Sequence, residues 1–214
     1  MEHYTSAETL ERLANDKNPY VRWLVAKSDS TPPETLDLLS NDENYNVRCR
    51  VAYNPNIKPE TLARLANDGD WEVRSDVATN PNTPAEILDR LANDGVSRVR
   101  CRVAISINTA PETLELLAND GNWGVRHGVA RNLNTAPEIL ERLANDTYPS
   151  IRYCVAENPN TPPEALERLA TDNHSGVRSD VEFNPNTPQY IKQYIKINRT
   201  LSKLSSLITK GTYP

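Results

Sequence analysis

Apolar residues along this chain come in short clusters and never in long runs. Leu10, Leu13 and Ala14 stand at i, i+3 and i+4, the spacing of one helical face. A few residues on, Val21, Val25 and Ala26 repeat that spacing. Polar residues fill the gap between the two clusters, and Asn-Pro or a related pair follows the second. The same order of clusters and gaps then returns at a constant interval of 26 residues. Asn-Asp pairs mark it at 15–16, 41–42, 67–68, 93–94, 119–120 and 145–146, and Thr171-Asp172 continues the series. The unit reads Thr-Pro-x-Glu-x-Leu-x-x-Leu-Ala-Asn-Asp, four spacers, then Val-Arg-x-x-Val-Ala-x-Asn-Pro-Asn. Seven copies fill residues 5–186, between a short tail at 1–4 and a different segment at 187–214.

Each unit predicts two short helices. The first opens with Thr and carries Glu three residues on, as at Thr31/Glu34, Thr83/Glu86, Thr109/Glu112, Thr135/Glu138 and Thr161/Glu164. That is the spacing of a capping box, in which the Thr hydroxyl and the Glu carboxylate each satisfy an orphan backbone N–H. Pro falls at the first or second helical position, where its missing N–H costs little. The third unit departs from this, with Ile57 in the cap position. Asn-Pro ends the second helix, because the residue before Pro avoids the α region. Both helices span only two or three turns, and one is short enough for the tighter 3₁₀ form. Neither can be stable alone. Stacking unit on unit buries the Leu and Val/Ala faces in one continuous core, which is the architecture of a solenoid.

Thr-Pro-x-x-x-Leu-x-x-Leu-Ala-x-Asp followed by Val-Arg-x-x-Val-Ala-x-Asn-Pro resembles the variant leucine-rich repeat family. The resemblance runs through residues 5–186. It implies an all-α, right-handed solenoid of seven 26-residue repeats, with α- and 3₁₀-helices in alternation and a C-terminal capping helix. The ordinary leucine-rich repeat needs Leu-x-Leu-x-x-Asn on a strand, and these units lack it. One member of the variant family carries an N-terminal iron–sulfur domain. Cys49, Cys101 and Cys154 are too few and too scattered to hold a four-cysteine cluster.

The Asp of each turn is followed six residues later by Arg, as in the Asp–Arg ladder of HEAT repeats. The pairs are Asp16/Arg22, Asp42/Arg48, Asp68/Arg74, Asp94/Arg100, Asp120/Arg126, Asp146/Arg152 and Asp172/Arg178. Such a ladder fixes the stacking register, each Asp meeting the Arg of its own unit or of a neighbour. On the own-unit reading, Arg100→Ala leaves Asp94 unpaired. Glu and Arg four apart on the first helix, at Glu8/Arg12, Glu60/Arg64, Glu86/Arg90, Glu138/Arg142 and Glu164/Arg168, read as solvated pairs worth about 0.2–0.5 kcal/mol each. Leu38 and Leu116 replace that Arg and leave two exposed apolar points.

The units differ most on the second helix, next to a core that barely changes. Tyr20, Trp23, Leu24, Arg50, Tyr53, Arg102, His127, Arg131, Tyr153 and Phe183 lie there. Aromatics and Arg are the residues that anchor interfaces, and one helix layer of a solenoid commonly lines its concave binding side. These ten are therefore the candidate contacts for a protein partner. Trp71 and Trp123 sit one position off this face and read as core-edge residues. In the first unit Trp23-Leu24 stands where later units are polar, which suggests a homodimer through that repeat. In the last segment Tyr190, Ile191, Tyr194, Ile195, Ile197, Leu201, Leu204 and Ile208 recur at helical spacing as the apolar side of a cap. Its charged residues are Lys192, Lys196, Arg199, Lys203 and Lys210, with no acid.

Composition narrows the function classes. Thirteen of the 16 Pro fall at helix starts or Asn-Pro stops, so the chain is punctuated and remains helical. Only 37% of residues are hydrophobic, which suits the narrow core of a thin stack. No run is apolar enough to span a membrane. The net charge of −5 argues against nucleic acid, the alternative partner for a HEAT-like solenoid. No spacing supports a Cys-His or Ser-His-Asp group, and His3, His127 and His174 form no metal cluster. The expectation is a cytoplasmic, non-catalytic repeat scaffold with no cofactor.

Overall fold

A computed structural model of the chain describes residues 6–209, and the side chains of residues 6–206. The tail at 1–4, His3 and Lys210 lie outside the described residues, as does the side chain of Ile208. Fifteen helices and no strand occur among the described residues, giving the all-α solenoid order that the repeat implies. The first helices of the repeats are α1 (Ala7–Leu13), α3 (Pro33–Leu39), α5 (Pro59–Leu65), α7 (Ala85–Leu91), α9 (Pro111–Leu117), α11 (Pro137–Leu143) and α13 (Pro163–Leu169). The second are α2 (Pro19–Lys27), α4 (Tyr45–Tyr53), α6 (Trp71–Thr79), α8 (Ser97–Ile105), α10 (Trp123–Arg131), α12 (Pro149–Glu157) and α14 (Ser175–Phe183). A longer helix, α15 (Gln189–Thr209), follows. The chain divides into two compact units at Leu117/Ala118, within the fifth repeat.

In each unit the second helices pack side by side as one close row, α2 to α8 in the first and α10 to α14 in the second. Within each unit the first helices rest chiefly on the second helices that flank them. The core between the layers is repetitive. Leu36, Leu62, Leu88, Leu114, Leu140 and Leu166 are fully buried on the first helices, as are Val47, Val73, Val99, Val125, Ile151 and Val177 on the second.

Helices of seven and nine residues are too short to persist without tertiary support, so their ends carry much of the specification. Both helices of every repeat are α-helical. The expected 3₁₀ geometry is confined to single i→i+3 bonds at helix ends, such as Val21 N–H to the Asn18 carbonyl at 3.0 Å. Asn18, Asn44 and Asn122 cap second helices by accepting from the N–H two residues on. Asn54 ends α4 with an extended backbone, as the residue before Pro55 must.

The capping-box reading of the Thr residues is corrected. The N-cap positions are Pro32, Lys58, Pro84, Ala136 and Pro162, none with a side-chain cap bond. The helix starts one residue later than the box requires, after Pro or Ala, and the Thr hydroxyl turns back. Thr31, Thr83, Thr109, Thr135, Thr161 and Thr187 each donate to the Val carbonyl six residues earlier, at 2.5–2.6 Å. They therefore add a second bond to a carbonyl that already accepts from the C-cap N–H of the preceding helix. α1 has a hydroxyl cap, where Ser6 accepts from Thr9 N–H.

The first-helix arginines also differ from expectation. Arg64 binds Asp37 at 2.6 Å and Arg168 approaches Glu141 at 3.9 Å, both in the preceding repeat. Arg90 donates to the Ala63 carbonyl, again one repeat back. Adjacent repeats bring these partners as close as i+4 does, and the bonds tie repeats together. Leu38 and Leu116 are about half exposed.

The cap is shorter than its apolar pattern. Ile191 and Ile195 are buried against the last repeat, but Ile197, Leu201 and Leu204 are at least half exposed. The last repeat is only as long as a nine-residue helix, so α15 outruns what it covers.

Candidate functional site

Charge pairs run from repeat to repeat. Arg22 Nε donates to Asp42 at 2.5 Å and its Nη2 to the other oxygen at 2.9 Å. Arg48 holds Asp68, Arg74 holds Asp94, Arg126 holds Asp146 and Arg152 holds Asp172 in the same two-point way. The Nη1 of each arginine binds the carbonyl of its own repeat's Asp, at 2.8 Å from Arg22 through Arg152, with Arg100 included. Arginine therefore clips its own turn by one edge and the next turn by the other. Asp94 belongs to Arg74, so the expectation that Arg100→Ala would leave Asp94 unpaired is corrected. The Asp16 carboxylate accepts from Asn18 N–H and meets no arginine among the described residues, although the Asp16 carbonyl holds Arg22. Asp120 Oδ1 makes the same turn bond, to Asn122 N–H. Burial pushes Asp42, Asp68, Asp94, Asp146 and Asp172 upward. The arginine fork, the turn N–H and the neighbouring arginine charges outweigh it and hold all five below the ordinary carboxyl value.

A second ladder was invisible as such in the sequence, where Asn-Pro reads only as a stop. Asn54 Nδ2 donates to the carbonyls of Ala26 at 2.8 Å and Ser28 at 3.0 Å, in the preceding repeat. Asn80, Asn158 and Asn184 do the same to their neighbours, and all four are buried. Two residues on, Asn56, Asn82, Asn108, Asn160 and Asn186 repeat the device near the surface. The signal was the fixed Asn itself, since a bare stop needs only Pro.

The second-helix face divides between the units. In the first unit Tyr20 stacks on Trp23 at 5.8 Å, with Lys27 and Arg50 over the Trp23 ring at 5.2 and 5.1 Å. Trp23 is thus half-buried among its neighbours. Leu24, Arg50, Tyr53 and Arg102 are exposed, Tyr53 by 56%. Cys49, half-buried beside Asp76, has its thiol pushed up to about 12 by burial and then by the Asp76 charge. Arg98 lies over half-buried Trp71 at 5.3 Å.

In the second unit Arg131, Tyr153 and Phe183 are exposed, Phe183 by 75%. Trp123, expected at the core edge, is 48% exposed and stacks on Tyr148 at 5.9 Å. It also meets half-buried His127 edge-on. His127 Nε2 lies 3.2 Å from Cys154 Sγ, a Cys-His approach that the spacing did not suggest. A 27-residue separation is one repeat plus one step of a helix, so the two meet across adjacent second helices. Burial pushes the Cys154 thiol up to about 11, and burial followed by Arg131 pushes His127 down. Both are neutral near pH 7, and an un-ionised thiol is a poor nucleophile. No group of three or more His, Cys, Asp or Glu that could hold a metal occurs among the described residues.

Asp180 is the anomaly of this face. Its Oδ2 is buried without a hydrogen-bond partner. Burial and then the Glu157 charge push its carboxyl up, and the Asp180 charge in turn raises Tyr153. A carboxyl whose native value lies above its unfolded one costs stability at neutral pH, and the cost fades as pH falls toward the native value. Asp180→Asn is therefore expected to raise the melting temperature at pH 7, with the gain shrinking as pH falls through the raised native value and gone below the unfolded value near 4. Equal melting of both proteins at pH 7 would refute this.

Comparison with known proteins places this geometry. A model described as "Leucine Rich Repeat Variant domain" matches residues 46–106, and "Leucine rich repeat variant" matches 123–147 and 151–174. No curated protein matches the chain. Among solved structures, "a leucine-rich repeat variant with a novel repetitive protein structural motif" is similar with 30% identity and a TM-score of 0.64. That match covers 83% of this chain and 71% of the other. An engineered protein is similar at 17% identity and a TM-score of 0.44, covering 88% of this chain and 97% of the other. A designed armadillo repeat protein in complex with the peptide (KR)4 shows 13% identity and a TM-score of 0.29, covering 97% and 94%. A 26-residue pair of α-helices locked to the next by Asp–Arg and Asn ladders, matched in sequence across both units, makes this chain a member of the leucine-rich repeat variant family.

Proposed function

We propose that the chain is a non-catalytic scaffold whose second-helix face binds another protein. The observation that carries this reading is where the variation falls. The outermost position of the second helix holds Lys27, Tyr53, Thr79, Ile105, Arg131, Glu157 and Phe183, all exposed, while the buried Val and Ala beside them scarcely change. A surface needed only for solubility has no use for exposed Tyr and Phe, whereas aromatics and Arg supply most interface energy. The candidate contacts are Tyr20, Trp23, Leu24, Arg50, Tyr53 and Arg102 in the first unit, and His127, Arg131, Tyr153 and Phe183 in the second. Residues 5–186 are the binding array and the segment from 187 closes it. The protein works in the cytoplasm, where its three free cysteines stay reduced. Among the described residues no helix is long and apolar enough to cross a membrane.

The test is a quantitative pull-down followed by direct titration of the recovered partner. Tyr53→Glu/Arg102→Glu in the first unit and Phe183→Glu in the second are each compared with Leu38→Glu on the first-helix side. One or both face variants should lose at least about tenfold in affinity, and Leu38→Glu should bind like wild type. Full binding by both face variants sinks the reading. Salt-sensitive binding to nucleic acid in a gel shift, with no protein captured, would replace it with the nucleic-acid alternative.

A further inference from the structure

The last arginine of the ladder has lost its carboxylate. Arg178 keeps the inner half of the clip, with Nη1 donating to the Asp172 and Asn173 carbonyls at 2.6 and 3.2 Å. In the repeats of Arg22, Arg48, Arg74, Arg126 and Arg152 the opposite edge grips an Asp of the following turn, with Nε at 2.5–2.7 Å. The residue 26 positions beyond Asp172 is Asn198, an exposed residue on α15 and not part of a turn. Among the described residues no carboxylate meets the Nε–Nη2 edge of Arg178. That side chain is half-buried and lines a cavity of about 950 Å³ between α14 and α15.

The rest of the lining is set for an anion. Lys203 and Arg199 of α15 face it with Ser175, Ser179 and Ser202. Arg199 is partly neutralised by Glu182 at 2.6 Å, and the Asp172 carboxylate, also in the lining, is held by Arg152. Arg178 and Lys203 therefore carry the uncompensated charge.

We propose that this cavity is a binding site for an acidic peptide, whose Asp carboxylate takes the two-point seat that the following turn supplies to every earlier described arginine of this arrangement. The fold states the ligand chemistry itself. The free edge of Arg178 is the edge that meets a planar carboxylate bidentately elsewhere in the chain, a pairing with geometric specificity as well as charge. Lys203 adds a point charge for a second acid or a chain end. The ridge of α15 keeps a whole further repeat from stacking here, since Ile191 and Ile195 already occupy the apolar surface of α14, but it leaves the polar side open. This site is separate from the second-helix face and stands whether or not that face binds a partner.

The probe is a fluorescent peptide copying residues 117–122, Leu-Ala-Asn-Asp-Gly-Asn, titrated by anisotropy at low salt against the same peptide with Asn for Asp. Saturable binding is expected, at least about tenfold weaker for the Asn peptide and for Arg178→Gln. Lys203→Ala, which removes no bond that holds the fold, should weaken it several-fold. Melting curves show whether each variant is folded, and if Arg178→Gln is not, Lys203→Ala decides. Absence of saturable binding, equal affinity for both peptides, or wild-type affinity in Lys203→Ala overturns the proposal. So does displacement by inorganic phosphate far below the peptide's own dissociation constant, which would mark a phosphoryl site instead.

Discussion

Replacing Arg74 with alanine should cost about 3 kcal/mol of stability in urea unfolding, within the range for removing one partner of a buried ion pair. The Asp94 side chain is only 6% exposed and would retain the Val96 N–H bond alone. The Asp68 and Gly69 carbonyls of Arg74's own turn would lose their donor in the same step. Arg74→Lys should recover less than half of the loss, because an ammonium cannot clip two carboxylate oxygens and a turn carbonyl at once. The loss also has a definite pH window. The Asp94 carboxyl lies below its ordinary value, burial opposing and the Arg74 fork prevailing. A group with a depressed native value contributes fully above its unfolded value near 4 and is lost as pH falls through the native one. The gap between wild type and Arg74→Ala should therefore be constant from pH 5 to 7 and close in acid. A variant that melts like wild type at pH 7 would show that the ladder contributes nothing.

Asn80→Ala should cost about 3 kcal/mol by another route. No charge changes, but the buried carbonyls of Ala52 and Asn54 lose donors at 2.6 and 3.2 Å, and the turn loses the acceptor of Asn82 N–H at 2.8 Å. The Asn54 carbonyl keeps the Ile57 N–H at 3.3 Å, so the Ala52 carbonyl and the Asn82 N–H carry the loss, at about 1–3 kcal/mol for each buried group left unpaired. Asn82→Ala removes an equivalent bond, to the Pro55 carbonyl at 2.7 Å, at an exposed site where water replaces it. Its cost should stay below about 1 kcal/mol. Similar losses for the two, by urea unfolding, would mean that burial does not set the value of these bonds.

The repeat, its helix pairs and its core positions could be read from the chain because they depend on periodicity alone. Leu36, Leu62 and Leu88 recur at one register and must share one environment. What could not be read depends on which neighbour a polar side chain reaches. The capping-box spacing of Thr31 and Glu34 is genuine, yet the helix starts after Pro32 and the hydroxyl finds the Val25 carbonyl instead. Arg74 and Asp94 are 20 residues apart and Arg100 and Asp94 only six, so linear distance favours the wrong carboxylate. Of the candidate face, Tyr53, Phe183 and Arg102 are exposed as their positions predict. Trp23 and His127 are not, because contacts such as that of Arg50 with Trp23, across one repeat, have no linear signature. Asp180 and its unpaired oxygen carried no signal at all.

The double duty of each turn aspartate has a consequence for how the chain can vary in length. Asp68 Oδ1 fixes its own turn through Asp70 N–H while the same carboxylate anchors Arg48 of the preceding repeat. One residue inserted between Asp68 and Arg74 would pull Arg74 off the Asp68 carbonyl, and one inserted before Asp68 would withdraw the carboxylate from Arg48. The first change breaks the clip within a repeat and the second the clip between repeats. The interlock works like meshed teeth, where a single odd pitch jams both adjoining wheels. Whole repeats can be added or removed at the cost of one interface, but a fractional repeat cannot be accommodated. The unbroken 26-residue count through seven units is what such a gear train requires.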